Sequence, residues 1–208
     1  MIEPASRDAV ERWIDEHAVD AFADVREASV AHRLEHGRGC TVYPTSAGPL
    51  LGVLAAVARA ERVLEVGSGL GYSALSLASG LRQDGVVETI ERDPGHARLA
   101  RLNVSERGFG DRVRILEGSA LELLPSLDRL CDLVFCDADP RGYERLLDEF
   151  LRLLRPGGLL VSANLFLAQF DSAILGLEEI AGYRARLVAD DRLQTAFLPD
   201  GMALSVRR

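Results

Sequence analysis

The segment Leu64-Glu65-Val66-Gly67-Ser68-Gly69-Leu70-Gly71-Tyr72-Ser73 places a glycine-rich turn after a short apolar run and before a helical pattern. Glycines let the backbone turn tightly and let a ligand approach main-chain N–H groups closely. A dinucleotide fingerprint has glycine at its first, third and sixth positions, and here the sixth position is Tyr72. The segment therefore predicts a strand, a ligand-binding turn and a helix, and it disfavours a nicotinamide-dependent dehydrogenase.

Short β-rich runs and helical patterns alternate on the C-terminal side of this segment. The predicted strands are Arg62–Val66, Val86–Glu91, Val113–Glu117, Asp132–Asp137 and Gly158–Ala163. The predicted helices between and after them are Tyr72–Leu81, Gly95–Arg107, Arg141–Leu154 and Ser172–Ala189. This alternation predicts an α/β fold with a parallel sheet covered on both faces. Two last runs, Leu193–Leu198 and Met202–Val206, flank a Pro-Asp-Gly turn and predict an antiparallel hairpin.

The N-terminal third of the chain has a different pattern. Helical periodicity covers Arg7–Ala18, Ala21–Glu35 and Gly48–Ala60. No repeat, low-complexity tract or linker divides the chain, so we expect one domain over residues 1–208. Within it, we expect residues 1–42 to form a helical N-terminal segment that caps a ligand-binding core at residues 43–208.

The composition excludes several chemistries. All 24 basic residues are arginine, so a Schiff-base lysine, a Walker-A lysine and a Tyr-Lys dehydrogenase pair are absent. A net charge of −8 disfavours a nucleic-acid partner. The charged N-terminus is unlike a signal peptide. Neither uncharged stretch suits a membrane span, because Gly39–Ala58 is interrupted by prolines and Pro156–Phe170 is too short. Three cysteines without metal-ligand spacing predict buried free thiols and a cytoplasmic protein.

Carboxylates stand at the ends of two predicted strands. Glu91 ends the second strand, where an acidic side chain can accept hydrogen bonds from both hydroxyls of a ribose. Asp137 and Asp139 follow the fourth strand, where they could bind a metal, accept a proton or hold an ammonium group. Because ligands bind beyond the carboxyl ends of parallel strands, these groups predict a site for an adenosine-containing ligand.

Four motifs together resemble the cation-dependent O-methyltransferase family, the class of caffeoyl-coenzyme A and catechol O-methyltransferases. They are LEVGSGLGYSAL at 64–75, the strand that ends at Glu91, EGSA at 117–120 and DLVFCDADP at 132–140. The resemblance implies S-adenosylmethionine as cofactor and a class I, Rossmann-like methyltransferase fold. This fold has a seven-stranded, mostly parallel sheet with a C-terminal antiparallel hairpin. The resemblance also implies a homodimer and a small-molecule acceptor.

The resemblance assigns roles to individual positions. It implies that the cofactor is bound by Tyr43, Glu65, Gly67, Ser68, Gly69, Gly71, Ser73, Glu91, Ala120, Asp137 and Asp139. Within this set Glu91 matches the ribose ligand, Ala120 the residue beside the adenine, and Asp139 a ligand of the methionine ammonium. Asp137 matches a carboxylate that faces substrate and metal, and it is the candidate catalytic residue.

Two departures from the family pattern affect the predicted mechanism. Where the family has an Asp-Asn pair of metal ligands after the fifth strand, this chain has Ala163-Asn164. Where the family has a lysine after Asp-Ala-Asp, this chain has Pro140 and then Arg141, which cannot act as a base. A hard divalent cation prefers several oxygen ligands, so we predict no metal at this site.

The remaining candidate bases are histidines. His17 and His96 are predicted to lie on the surface. His32 and His36 share a helical face just before the loop that leads into Tyr43, and the preferred interpretation is two solvated histidines at a helix end. In the family that this chain resembles the N-terminal segment can cover the active site, so the resemblance also allows either histidine to reach substrate. The preferred function is metal-independent O-methylation of a phenol-, catechol- or natural-product-like acceptor. A non-catalytic S-adenosylmethionine-binding protein and, less favoured, a nicotinamide-dependent dehydrogenase are the alternatives.

Overall fold

The computed structural model describes residues 13, 17, 19–37, 40–45, 47–166, 177–199 and 201–208. Its strands are β1 Arg62–Val66, β2 Val86–Glu91, β3 Val113–Glu117, β4 Cys131–Cys136, β5 Leu154–Ser162, β6 Leu193–Phe197 and β7 Ala203–Arg207. Its α-helices are α1 Ala23–His36, α2 Gly48–Val57, α3 Tyr72–Gly80, α4 Pro94–Glu106, α5 Ala120–Leu123, α6 Tyr143–Leu153 and α7 Leu177–Ala189. Short 3₁₀ turns cover Leu124–Ser126 and Pro140–Gly142.

The seven strands form one sheet in the order β3-β2-β1-β4-β5-β7-β6. Strands β1 to β5 are parallel, and β7 pairs antiparallel with both β5 and β6. The predicted parallel sheet with a terminal antiparallel hairpin is therefore confirmed. The strand order reverses between β1 and β4, and this reversal places a ligand crevice at their carboxyl ends.

Each face of the sheet carries its own hydrophobic core, because successive side chains of a strand point to opposite faces. One core joins α2 and α3 to the sheet through Val63, Val87, Leu133, Phe135 and Val161. The other joins α6 and α7 to it through Leu64, Val66, Val134, Cys136 and Leu160. All three cysteines are buried free thiols, as predicted. Both layers hold the carboxyl ends of β1 and β4 in fixed positions.

Helix α1 is held against the core by polar contacts. The Tyr72 hydroxyl donates to Asp20 Oδ2 at 2.6 Å, just before α1, and Arg107, directly after α4, pairs with Asp24. The predicted helix Ala21–Glu35 is thus confirmed as α1. The predicted helix Arg7–Ala18 lies outside the described residues, apart from Trp13 and His17, which are helical.

Strand β5 differs most from its predicted bounds. It begins at Leu154 rather than Gly158, and its register with β4 shifts between Cys131 and Leu133. The cause is an irregular stretch at the start of β5 in which Gly157 has a φ of +74° and Arg155 donates to Asp132 at 2.6 Å. A sequence pattern of apolar residues does not reveal a strand that continues through such a bulge.

The structure describes only part of the hairpin turn and only part of the last long helix. Gly201 has a φ of +95° and donates to Leu198 O at 3.1 Å, while Asp200 lies outside the described residues. The first residues of the predicted helix Ser172–Ala189 also lie outside them, and the helix is described from Leu177. Among the described residues, no helix combines the length and the apolar character needed to cross a membrane.

Candidate active site at the carboxyl ends of β1, β2 and β4

The glycine-rich turn connects β1 to α3 and touches the end of β4. Gly67 has a φ of +99°, and a Cβ there would lie 2.3 Å from the backbone oxygen of Asp137, so only glycine fits. Gly71 has a φ of +93° and immediately precedes α3. Tyr72, which replaces the sixth-position glycine of the dinucleotide pattern, is buried. The turn is therefore built against Asp137.

Glu65 lies in β1 with no exposed surface. Among the described residues neither of its carboxylate oxygens makes a well-formed hydrogen bond, and the buried Ser68 hydroxyl also has none. Burial raises the pKa of Glu65 to about 8, and the nearby hydroxyls of Ser73 and Thr89 offset part of this rise. Buried polar groups without partners are costly and concentrate at ligand sites, so this pair fits a ligand that supplies hydrogen-bond donors.

Glu91 ends β2 and is buried beside the turn. Its Oε2 accepts from Gly69 N and its Oε1 accepts from Asp93 N, each at 2.9 Å. A carboxylate oxygen has two lone pairs, so each oxygen can accept a further hydrogen bond from a ligand. The register partner Glu117 on β3 is exposed and pairs with Arg101 instead. Glu91 thus fixes the glycine-rich turn, a role that sequence reasoning did not foresee.

Asp137 follows β4, next to the loop that ends β5. Asn164, which has a φ of +64°, donates from Nδ2 to Asp137 Oδ1 at 2.6 Å. Burial raises the pKa of Asp137 to about 7, although the hydrogen bond from Asn164 opposes the rise. A carboxylate with a pKa near neutrality is suited to act as a general base at physiological pH.

The residues around Asp137 do not fit the divalent cation that the family resemblance implies. Ala163 is buried and offers no side-chain oxygen. Asn164 directs its amide nitrogen at Asp137, and the carboxylate of Asp139, two residues along the chain, is bound by Arg141. Magnesium requires several oxygen ligands in near-octahedral geometry, and this set provides too few.

Asp139 makes a bidentate ion pair that the sequence did not predict. The Nε of Arg141 lies 2.8 and 3.0 Å from the two carboxylate oxygens, and its terminal NH2 contacts Oδ2. The guanidinium holds the pKa of Asp139 below its usual range. An ammonium group at this carboxylate would therefore share it with Arg141.

Three other residues of the predicted set lie around the same edge of the sheet. Ser73 is buried in the first turn of α3, and Ala120 begins α5, directly after a loop whose Gly118 N donates to Glu91 O at 2.9 Å. Tyr43 is half exposed, and the guanidinium of Arg33 lies 3.2 Å from its ring centroid. Tyr43 follows Val42, which packs with Leu70 of the glycine-rich turn.

The histidines do not all follow their predictions. His17 is exposed, as expected, and stacks on Trp13. His96 was predicted to be solvated, but this is wrong, because only 9% of its surface is exposed. His96 meets His32 edge to face, and His32 stacks on His36. Its spacing of four residues from the buried Ala100 was a signal that could have revealed its burial.

Comparisons with known proteins identify similar sequences and folds. Residues 15–208 match the family described as O-methyltransferase. A protein of Mycolicibacterium vanbaalenii that is provisionally named an O-methyltransferase is 38% identical over 99% of this chain and 94% of the relative.

Two solved structures are similar over nearly their whole length. The cofactor-bound protein Rv0187 from MTB has a TM-score of 0.81 and 30% identity, and the match covers 99% of each chain. The O-methyltransferase TomG from Streptomyces achromogenes, involved in tomaymycin synthesis and solved with S-adenosylmethionine, has a TM-score of 0.80 and 28% identity, with 95% of each chain covered.

Proposed function

The chain belongs to the O-methyltransferase family, and on this premise we propose that it methylates a hydroxyl group of a small acceptor without a catalytic metal. S-adenosylmethionine is the methyl donor, as in the solved relative TomG. The observation that carries the proposal is the position of Asp137, whose backbone lies against the glycine-rich turn and whose carboxyl has a pKa of about 7. A base lies beside the donor site where a metal cannot be held.

We assign the donor site to the edge of the sheet around the glycine-rich turn. The residues proposed to bind it are Tyr43, Glu65, Gly67, Ser68, Gly69, Gly71, Ser73, Glu91, Ala120, Asp137 and Asp139. The unpartnered oxygens of Glu65 and the hydroxyl of Ser68 support a polar ligand there, since the N–H and O–H groups of the ligand would supply the missing hydrogen bonds. Glu91 is placed to accept ribose hydroxyls with the lone pairs that Gly69 and Asp93 leave free.

Bound S-adenosylmethionine supplies an electrophilic methyl group on a sulfonium. The protein's own contribution is to position the acceptor and remove its proton. A phenol has a pKa of about 10, so a base accelerates its reaction at neutral pH. Asn164 holds Asp137 by Oδ1, which leaves Oδ2 to accept the hydroxyl proton. Holding both reactants in one orientation lowers the barrier further.

The acceptor class follows from the charge of the chain and of the site. A net charge of −8 and the carboxylates of Asp137 and Asp139 repel a polyanion, so we propose a small phenol-, catechol- or natural-product-like acceptor rather than nucleic acid.

A cytoplasmic homodimer remains part of the proposal. Light scattering of the purified protein tests the dimer.

A screen for donor consumption tests the proposed activity. The purified protein is incubated with S-adenosylmethionine and a panel of phenols, catechols and hydroxylated natural-product scaffolds, and S-adenosylhomocysteine and methylated product are measured. We expect product with at least one acceptor. Donor binding without turnover on any acceptor would favour the non-catalytic alternative, and binding of NAD in place of S-adenosylhomocysteine would favour the dehydrogenase.

Glu91→Ala is expected to weaken S-adenosylhomocysteine binding by roughly 10- to 150-fold, since losing a charged hydrogen-bonding partner costs ~1.5–3 kcal/mol. The variant also releases Gly69 N and Asp93 N from their acceptor. Calorimetry measures the Kd. Glu117→Ala is the matched control, because Glu117 ends the neighbouring strand in register with Glu91 but is exposed. Equal affinities of the two variants would refute the assignment of Glu91.

A further inference from the structure

Three side chains with soft or borderline ligand atoms meet beside the proposed donor site. His32 belongs to α1, Cys40 to the loop that follows it, and His96 to α4. One ligand atom from each, a ring nitrogen or the sulfur, lies within 4.8 Å of the other two. Residues from three separate parts of the chain thus converge on one point, and the sequence shows no motif that brings them together.

The burial of the cluster favours a ligand over simple solvation. Cys40 is 6% exposed and His96 is 9% exposed. The Nδ1 of His96 is buried and makes no hydrogen bond within the described part of the chain. Such a nitrogen is normally satisfied by a donor, an acceptor or a metal ion.

The distances are close to those of a tetrahedral metal site. Zn²⁺ binds sulfur at about 2.3 Å and imidazole nitrogen at about 2.0–2.1 Å, so its ligand atoms lie roughly 3.5 Å apart. Donor atoms within 4.8 Å need to close by about 1 Å, which side-chain rotation can supply. Thiolate and imidazole ligands both suit zinc and other soft or borderline ions, whereas magnesium and calcium prefer oxygen.

The surroundings provide the remaining elements of such a site. A cavity of about 580 Å³, lined by these three residues, has room for a water or small ligand at the fourth position. Asp93 Oδ1 lies 3.9 Å from His96 Nδ1 and accepts from His96 N at 2.9 Å. At 3.9 Å Asp93 makes no hydrogen bond to the ring, but a carboxylate so close to the cluster offsets part of the charge of a bound ion.

We propose that His32, Cys40 and His96 bind one Zn²⁺ ion. The ion ties α1 and the Cys40 loop to α4 at His96, three residues beyond the Asp93 that Glu91 holds in place. This zinc site is distinct from the edge at Asp137 and Asn164, and it takes no part in removing the acceptor's proton. Its consequence is a fixed position for the segment that leads into Tyr43.

Metal titration of the intact protein tests the proposal. The protein is treated with a chelator, desalted, and titrated with Zn²⁺ in competition with a chromophoric chelator and, separately, with Co²⁺ alone. We expect one ion per chain and a cobalt spectrum with tetrahedral d–d bands and a thiolate-to-cobalt charge-transfer band. Since loss of even an outer partner of a metal ligand weakens binding about 10- to 100-fold, we expect His96→Gln to weaken zinc binding by at least about 100-fold. Cys40→Ala should abolish the charge-transfer band.

His36→Gln is the matched control, because His36 stacks on His32 and lines the same cavity but is not one of the three ligands. It should bind zinc like the wild type, to within about threefold. Circular dichroism verifies that each variant folds. If Cys40→Ala does not fold, the thiolate-to-cobalt band of the wild-type protein tests the ligation by Cys40. A wild-type protein without stoichiometric binding, or without a thiolate band, would overturn the proposal. Equal losses in His36→Gln and His96→Gln would also overturn it.

Discussion

Asp137→Asn lowers kcat by about 100-fold or more, because general-base catalysis typically contributes about 10²- to 10⁴-fold and an amide cannot accept the proton. The neighbouring Asn164 still finds an oxygen acceptor at the substituted position, so the site keeps its shape. Steady-state kinetics with an acceptor found in the screen measure kcat. Calorimetry with S-adenosylhomocysteine separates this effect from any loss of donor affinity.

The pH profile gives this prediction its sharpest control. Wild-type kcat/KM should rise with pH through about 7, as Asp137 loses its proton. Asp139→Asn should keep this rise and change donor affinity instead, because Arg141 already holds the pKa of Asp139 below its usual range. An Asp137→Asn enzyme with an unchanged pH profile would show that another group removes the proton.

Glu65→Gln is expected to have opposite effects on donor binding and on stability. S-adenosylmethionine affinity should fall by at least about tenfold, since the amide that replaces the carboxyl group offers the cofactor's N–H and O–H groups one acceptor oxygen instead of two. The donor-free protein should become more stable at pH 8. The buried carboxyl has a pKa of about 8 when folded against an ordinary 4.5, so the unfolded chain releases its proton first as the pH rises. Each unit of such a difference corresponds to about 1.4 kcal/mol, which makes the cost a few kcal/mol.

Thermal unfolding at several pH values measures this prediction. The stability that the protonated carboxyl confers is fully present below pH 4.5 and declines through pH 8, where the folded form also loses its proton. Glu65→Gln should remove this decline. Glu88→Gln is the control, because Glu88 is only partly buried and pairs with Arg62 and Arg114. A Glu65→Gln protein that is destabilised at pH 8 and binds the donor normally would contradict the role of Glu65.

The sequence predicted most of the sheet because its signals are local. Strands β1, β2 and β3 have the predicted bounds, since each is a short apolar run that ends at a turn or a helix start. The start of β5 was missed because pairing across a bulge depends on the neighbouring strand. The hairpin was found because its turn residues are contiguous.

The sequence predicted the residues of the candidate site but not the hydrogen bonds and ion pairs that join them. Glu65, Glu91 and Asp137 were located from strand ends and from the family resemblance, and they lie at or directly after the ends of three neighbouring strands. The hydrogen bond from Gly69 N to Glu91, and the ion pair between Arg141 and Asp139, depend on side-chain directions that spacing does not specify. The burial of His96 depends partly on α1, which is distant in the sequence, so its helical spacing from Ala100 was only part of the signal.

The central claim is that methyl transfer proceeds with Asp137 and without a hard divalent cation. The most direct measurement is the rate before and after exhaustive chelation, followed by add-back of Mg²⁺, Mn²⁺ or Ca²⁺, with Zn²⁺ added back separately because chelation also removes it. We expect no dependence on the first three ions in the wild type, and an increased affinity for them in Ala163→Asp, which restores a carboxylate. A fall of more than about tenfold, or ~1.4 kcal/mol in barrier, that Mg²⁺, Mn²⁺ or Ca²⁺ reverses would contradict the claim.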